Sequence, residues 1–289
     1  MTVQENMLAL YDTLGVFECY DPLPFDEPYE SHMQKLKECT VLLPEDIKSL
    51  KENPVSHDLP NSCHCSITCE DANSFTMAYD IYNRCNHAKI MVLNFANPYN
   101  PGGGVWKGAN AQEEDLCRRS NLLFSLESEN AKKYYLYNKE NRKRDSYGND
   151  YGTNSMILTP NVNIIKNKEY KLLFEWPPVS VLTAAAPIIH DKYHIDDEYV
   201  DMLFERIHSV LLCAAHYGYT HLVFGAWGCG AFGNDPEVVS GLFRDAIDNF
   251  TYDGKNVHQL FESITFAVPY STKHPANHDA FKQQFINKT

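Results

Sequence analysis

Residues 89–116 read KIMVLNFANPYNPGGGVWKGANAQEEDL. They begin with a continuous apolar run, "KIMVLNF" at 89–95, cross three consecutive glycines and reach a pair of glutamates. A strand that is apolar without alternation is covered on both faces. Acidic and amide residues beyond the loop suit a first helical turn. The spacing predicts a buried strand, a bare loop and a helix from about Gln112 to Ser125. Glycine lets backbone N–H groups approach a partner closely. A glutamate at a helix start offers an acid, a base or merely a capping charge.

The same alternation extends in both directions. Upstream, short helical patterns occur near 31–39 and 44–52. "CHCSIT" at 63–68 reads as a strand, and "ANSFTMAYDIYNRC" sets Phe75, Ala78, Ile81, Tyr82 and Cys85 on one helical face, with Asp71 or Asn73 as its cap. Downstream, residues 127–155 form a charged, tyrosine-rich excursion, helical or looped. "MILTPNVNIIKN" and "YKLLFEW" suggest short strands before the buried strand "VSVLTAAA" at 179–186. Residues 198–216 carry Val200, Leu203, Phe204, Ile207, Leu211 and Ala214 on one stripe, with Gly218 as the stop. "HLVFGAW" at 221–227 is another buried strand, and "SITFAV" at 263–268 is expected to close the sheet. Strand–helix alternation predicts a mixed or parallel sheet with helices on both faces. The expectation is one α/β domain over 61–289 with an N-terminal helical extension over 1–60.

Composition narrows the function. The chain has 289 residues, 44% hydrophobic and 22% charged, enough for a full core without disulfides or metals. With 25 basic and 38 acidic residues the net charge is −13, which argues against general nucleic-acid binding. A polyanion would have to be captured in a local pocket. The start "MTVQENMLALYDTLGVFECYD" has neither the basic region nor the apolar core of a signal peptide. No apolar run approaches 18 residues, so no membrane helix is expected. Nine cysteines without a regular framework read as reduced thiols in the cytoplasm.

A second glycine loop, "GCGAFGN", follows the strand at 221–227. Gly228, Gly230 and Gly233 fit G-x-G-x-x-G, and Asn234 with Glu237 has capping-box spacing around Pro236. A dinucleotide fold also wants an acidic residue at the end of the next strand, and "FAVPYS" has none. What remains is a diphosphate cradle at a helix N-terminus, or a tight strand-to-helix turn. The first loop is not a Walker A, because no Gly-Lys-Ser/Thr follows it. Two such loops, each after a buried strand, belong at the carboxyl ends of the sheet, where open α/β folds bind ligands. An ADP-like ligand with carboxylates near its far sugar is the economical reading.

"NFANPYNPGGG", "NAQEEDLCRRS", "LTPNV", "AAP" and "GAWGCGAFGNDP", in that order over roughly residues 60–270, closely resemble the bacterial-type poly(ADP-ribose) glycohydrolases of the macrodomain superfamily. The family signature of a triple glycine, a spacer and Gln-Glu-Glu is matched by Gly102, Gly103, Gly104, Gln112, Glu113 and Glu114. The resemblance implies a three-layer α/β/α macrodomain-like sandwich around a mixed sheet. It implies that Glu114 is the catalytic acid/base and that Glu113 and Asn97 hydrogen-bond the distal ribose. Gly102 to Gly104 would wrap the ribose and diphosphate, with Gln112 among the substrate contacts. The loop Gly228, Cys229, Gly230, Ala231, Phe232, Gly233 and Asn234 would close over the diphosphate, Phe232 stacking near the adenosine side. Ile188 departs from the asparagine expected after Ala-Ala-Pro. Glu70 and Asp71 are the candidates for contacting adenine.

The chemistry suits these residues. Breaking a ribose–ribose O-glycosidic bond needs a proton for the leaving oxygen and passes through an oxocarbenium-like state. Neighbouring helical residues point about 100° apart, so Glu113 and Glu114 divide the labour. A helix N-terminus favours ionised carboxylates, so the ligand's diphosphate, together with burial against neighbours such as Phe95, is expected to raise the pKa on binding if one is to hold a proton.

No cofactor or metal is expected. Cys63, Cys65, Cys69, His64, Cys85 and His87 lack a clean ligand spacing, and the first three alternate on one strand face. Cys229 has no evident base partner. His190 and His194 lie in a polar loop, and "NRKRD" at 141–145 is the one basic cluster. The resemblance implies poly(ADP-ribose) or another ADP-ribosylated macromolecule as substrate and ADP-ribose as product. The competing readings are an ADP-ribose-binding reader, a hydrolase of mono-ADP-ribosylated protein or nucleic acid, and a nicotinamide oxidoreductase.

Overall fold

The computed structural model describes residues 1–19, 28–57, 65–85, 87–191 and 197–286. Strands β1 (Thr40–Leu42), β2 (Ser66–Glu70), β3 (Ile90–Phe95), β4 (Met156–Asn163), β5 (Pro178–Ala184), β6 (His221–Phe224) and β7 (Ser263–Ala267) form a seven-stranded sheet. Their spatial order is β1-β4-β5-β3-β6-β7-β2. The run from β5 to β2 is parallel. β4 adds antiparallel to β5, and β1 antiparallel to β4.

Helices cover both faces. The first seven are α1 (Val3–Cys19), α2 (Tyr29–Lys37), α3 (Pro44–Glu52), α4 (Ser74–Arg84), α5 (Gln112–Arg119), α6 (Leu122–Leu126) and α7 (Glu129–Asn141). Then come α8 (Asp197–His216), α9 (Pro236–Asn249), α10 (Val257–Leu260) and α11 (Pro275–Phe285). Successive strand residues point to opposite faces. Met91, Leu93, Leu182, Leu222 and Phe224 therefore join one core with α3, α8, α9 and α11. Ile90, Val92, Val181 and Val223 join the other with α1, α2 and α4 to α7. The three-layer α/β/α expectation holds. Met91, Val92 and Leu93 are fully buried, and each such side chain contributes roughly 1.5–3 kcal/mol. The carboxyl end of β3 is thus a firm platform for whatever the following loop carries.

Several local expectations are corrected. The helix expected from Gln112 to Ser125 is two helices, because Ser120 is extended and pairs with Ile164. The Ser120 hydroxyl donates to Leu116 O and accepts from Leu122 N, satisfying backbone groups that a continuous helix would use. "YKLLFEW" makes only an isolated bridge, Lys166 to Leu172. β7 does not close the sheet, since β2 pairs on its outer side. In α4 Met77 is buried, whereas Tyr82 is exposed. α9 is capped by Asp235, whose carboxylate accepts from Glu237 N and Val238 N, and not by Asn234. The N-terminal segment supplies helices and also the edge strand β1. Cys63, His64 and His194 lie outside the described residues. Among those described, no helix is long and apolar enough to cross a membrane.

Candidate active site

The loop between β3 and α5 is folded around the two glutamates. Gln112, the first residue of α5, spends its side-chain amide on the end of β3. Its Oε1 accepts from Phe95 N at 2.9 Å, and its Nε2 donates to Leu93 O at 2.8 Å and Ser74 Oγ at 3.1 Å. This staple sets the start of α5 against the strand. Glu113 then turns inward, with Oε2 accepting from Asn97 N at 2.7 Å and Oε1 from Asn94 Nδ2 at 3.2 Å. Glu114 accepts from Gly104 N at 2.8 Å and from Ala111 N at 3.1 Å. Both carboxylates are buried, at 2% and 6% exposure.

The glycines answer to the glutamates. Gly103 has φ +61°, and a Cβ there would lie 2.5 Å from Glu114 Oε1 and 2.9 Å from Glu113 Oε2. Both carboxylates therefore converge on one point that only glycine leaves free. A Cβ on Gly104 would lie 2.8 Å from Ala109 Cβ, and one on Gly102 2.7 Å from Leu123 Cδ1. α1 braces the loop from outside: Asn6 Nδ2 donates to Gly108 O at 2.9 Å, and the Thr13 hydroxyl donates to Arg118 O. Asn97 turns its Oδ1 back to accept from Tyr99 N and Asn100 N, both at 2.9 Å.

Burial decides the protonation of Glu113. It raises the Glu113 carboxyl to about 8, with the neighbouring Glu114 charge adding to the rise and the Asn97 N–H and Asn94 amide opposing it. Asn94 Oδ1 is buried without a partner. Turning that amide over would offer Oδ1 to a protonated Glu113, so the site accepts either form. The folded protein keeps the Glu113 proton up to about pH 8, while the unfolded carboxyl releases it near its ordinary 4.5. The associated stability is complete below about 4.5 and is lost as pH rises through about 8. Glu113→Gln, whose amide suits the turned Asn94, should not show this loss. Melting curves from pH 5 to 9 should find the wild type falling relative to Glu113→Gln by about a few kcal/mol. A difference that does not change with pH would refute the assignment.

A cleft of about 820 Å³ opens at the start of α5, lined by the residues on either side of the pair; Glu113, Glu114, Asn97 and Gly102 to Gly104 do not themselves line it. Its walls include Ala111 and Gln112 at the start of α5, Phe95 at the end of β3, Asn73 and Ser74, and the loop after β6. Gly228, Gly230, Ala231 and Phe232 line it; Cys229, Gly233 and Asn234 serve the loop itself. Gly228 (φ +76°) has no room for a Cβ, which would lie 2.5 Å from Asn234 Nδ2. Asn234 is buried and holds the loop shut, donating to Pro187 O at 2.7 Å and Gly228 O at 3.0 Å and accepting from Tyr199 OH at 2.7 Å. Ile189 N donates to Phe232 O at 2.7 Å, tying in the segment after Ala-Ala-Pro. Ile188 pairs through its backbone with Asp150. Burial pushes the Cys229 thiol well above its ordinary value, which suits a packing role. Gly230 is the exception: nothing lies within 4 Å of a Cβ built there.

Sequence reasoning missed Asn94, Tyr99 and Tyr170. Asn94 sits in a run that reads as apolar, and its polar character was the one available signal. Tyr99 OH donates to both carboxylate oxygens of Asp150 at 2.7 Å, and Arg144 Nε reaches the same group at 3.0 Å. Tyr170 (φ +61°) lines the cleft and donates to Asp115 Oδ1 at 2.6 Å. Neither Glu70 nor Asp71 lines the cleft, and Asp71 Oδ1 caps Tyr270 N at 2.8 Å. Among the described residues no group of three or more His, Cys, Asp or Glu side chains is placed to hold a metal ion.

Known proteins match this arrangement. A family model described as the catalytic domain of microbial-type poly(ADP-ribose) glycohydrolase (PARG) matches residues 28–167. The PARG of Thermomonospora curvata superposes with a TM-score of 0.82 at 27% identity, covering 98% of this chain and 100% of that one. A second structure of that enzyme, bound to the inhibitor ADP-HPD, gives 0.80 at the same identity and coverage. The PARG of Deinococcus radiodurans in complex with ADP-ribose gives 0.73 at 30% identity, covering 91% of this chain and 97% of that one. No curated protein sequence matches significantly. With 30% identity and a matching fold over nine-tenths of its length, the chain belongs to the microbial-type poly(ADP-ribose) glycohydrolases.

Proposed function

We infer that this chain hydrolyses the ribose–ribose O-glycosidic bonds of poly(ADP-ribose) and releases ADP-ribose. The observation that carries the reading is the pair of buried glutamates, each clamped by loop amides and converging over Gly103 beside the cleft. ADP-ribose lies in that cleft, its diphosphate against the 228–234 loop and its distal ribose at the pair. The proton that burial keeps on Glu113 passes to Glu114, whose carboxylate converges with it over Gly103; Glu114 gives it to the leaving oxygen and recovers one from the attacking water, which restores the pair. Glu113 also fixes the ribose through the Asn97 loop. The acid-then-base sequence asks one residue to serve both halves of the reaction. Asn94 acts by positioning Glu113. Residues 1–60 serve as an accessory brace for the catalytic domain 61–289, through the contacts of α1 with Gly108 and Arg118. A reducing cytoplasm suits the free thiols of Cys39, Cys65, Cys69, Cys85, Cys117, Cys213 and Cys229. The net charge of −13 leaves no general affinity for nucleic acid.

Incubation with defined poly(ADP-ribose), followed by chromatography of the products, tests the activity; an intact polymer would overturn it. Gly230→Leu tests the cradle. The open space around Gly230 lets the protein fold with a larger side chain, which would then stand in the ligand's path. ADP-ribose affinity should fall by roughly tenfold or more, the equivalent of about 1.4 kcal/mol. Unchanged affinity in the folded variant would place the diphosphate elsewhere.

A further inference from the structure

We propose that the aromatic pair Trp106–Tyr11 is a subsite for the adenine of the leaving unit of poly(ADP-ribose). The inference rests on the function proposed above. Gly104, whose N–H clamps Glu114 at 2.8 Å, is also the cap of the 3₁₀ turn Val105–Lys107. The backbone that holds the acid thus begins the turn that carries Trp106. That turn is rigid: Val105 is buried, and the turn ends at Gly108 (φ +71°), which Asn6 holds from α1. Trp106 nevertheless faces solvent at 42% exposure, next to Tyr11 at 53%, with ring centroids 6.2 Å apart. Its indole N–H donates to Glu127 Oε1 at 2.7 Å, which fixes the plane of the ring. Tryptophan is usually well buried, so an oriented and exposed one asks for an occupant.

The substrate supplies one. Val105, Trp106 and Lys107 do not line the cleft. Glu114 does not line the cleft either, so with the terminal ADP-ribose in the cleft and its distal ribose reaching out to Glu114, the group beyond the breaking bond lies outside it. In the polymer that group is an adenosine: its 2′-oxygen is the leaving atom, and the same furanose carries adenine. A flat base is therefore delivered within one sugar ring of Glu114, whose clamping amide, Gly104 N, lies two residues before Trp106 in the chain. Bases stack on exposed aromatic rings regardless of sequence. The exposed Lys107 adds a positive charge beside a polyanionic chain.

The test uses the full chain. In Glu114→Gln, which binds without turning over, calorimetry should show di(ADP-ribose) binding more tightly than ADP-ribose. Adding Trp106→Ala should abolish that difference and leave ADP-ribose affinity unchanged, while Trp106→Phe should largely keep it. In the otherwise wild-type chain, Trp106→Ala and Tyr11→Ala should raise KM for the polymer, for Trp106→Ala on the order of tenfold, with kcat nearly unchanged. Equal losses for both ligands would mean that Trp106 only supports the loop, and would overturn the inference. So would an unchanged affinity for di(ADP-ribose). Failure of the wild type to release ADP-ribose from polymer would instead overturn the function on which the inference rests.

Discussion

Glu114→Gln should release ADP-ribose from poly(ADP-ribose) at least 10²–10⁴-fold more slowly than the wild type, the usual contribution of general acid–base catalysis. The loss is expected at the upper end of that range, because one residue carries both proton transfers. Structure adds a qualification to the replacement. Both oxygens of Glu114 accept backbone N–H groups, from Gly104 and Ala111. An amide can accept only through its oxygen, so one of these donors loses its partner, at a cost of roughly 1–3 kcal/mol. Some fall in melting temperature is therefore expected alongside the rate loss. ADP-ribose affinity separates the two effects, since the cleft walls and the second glycine loop are untouched. A variant with near wild-type turnover would reduce the glutamate pair to an ordinary helix start. One that binds ADP-ribose normally and turns over polymer hardly at all supports Glu114 as the acid/base.

Gly103→Ala should be nearly as damaging to activity without touching a catalytic group. Its methyl would lie 2.5 Å from Glu114 Oε1 and 2.9 Å from Glu113 Oε2, well inside van der Waals contact. Carboxylate ends are ordinarily free to swing away, but these are held by the amides of Asn97, Gly104 and Ala111. Relief means breaking one of those hydrogen bonds or moving the loop. The positive φ adds roughly 1–2 kcal/mol of backbone strain. Displacing a catalytic group by about 1 Å can cost 10²-fold in rate, so kcat should fall by about that factor or more. Gly148→Ala is the control. It shares the strain of a positive φ (+86°) but has nothing within 4 Å of the new methyl. Gly148→Ala should lose a little stability and keep its activity. If Gly103→Ala behaves like Gly148→Ala, the glycine is there for backbone conformation alone.

These predictions separate what local sequence discloses from what it conceals. Apolar runs without alternation marked β3, β5 and β6 because burial on both faces leaves a one-dimensional trace. The stripe along α8 and the stop at Gly218 were legible for the same reason, although Val200 and Phe204 are only partly buried. The order of chemical motifs was enough to bring the two glycine loops to one end of the sheet. Capping was harder to read. Asn234 and Asp235 are both good helix caps, and only the tertiary fold uses the first to close the loop and the second to start α9.

From the sequence alone came the α/β alternation, the two bare loops and the glutamate pair with its chemistry. All are written in residues close together in the chain, where strand and helix periodicities and glycine's freedom act. The tertiary structure decided that Gly103 is bare for the sake of the glutamates. It also decided that Gln112 staples α5 to β3 and that burial moves Glu113 to about 8 against the opposing hydrogen bonds of Asn97 and Asn94. It set the edge strand β1 beside β4, where Val41 pairs with Ile157, 116 residues further along the chain. Burial and hydrogen-bond partnership depend on which distant segments meet. That is a property of the packed chain, which no local pattern of side chains encodes.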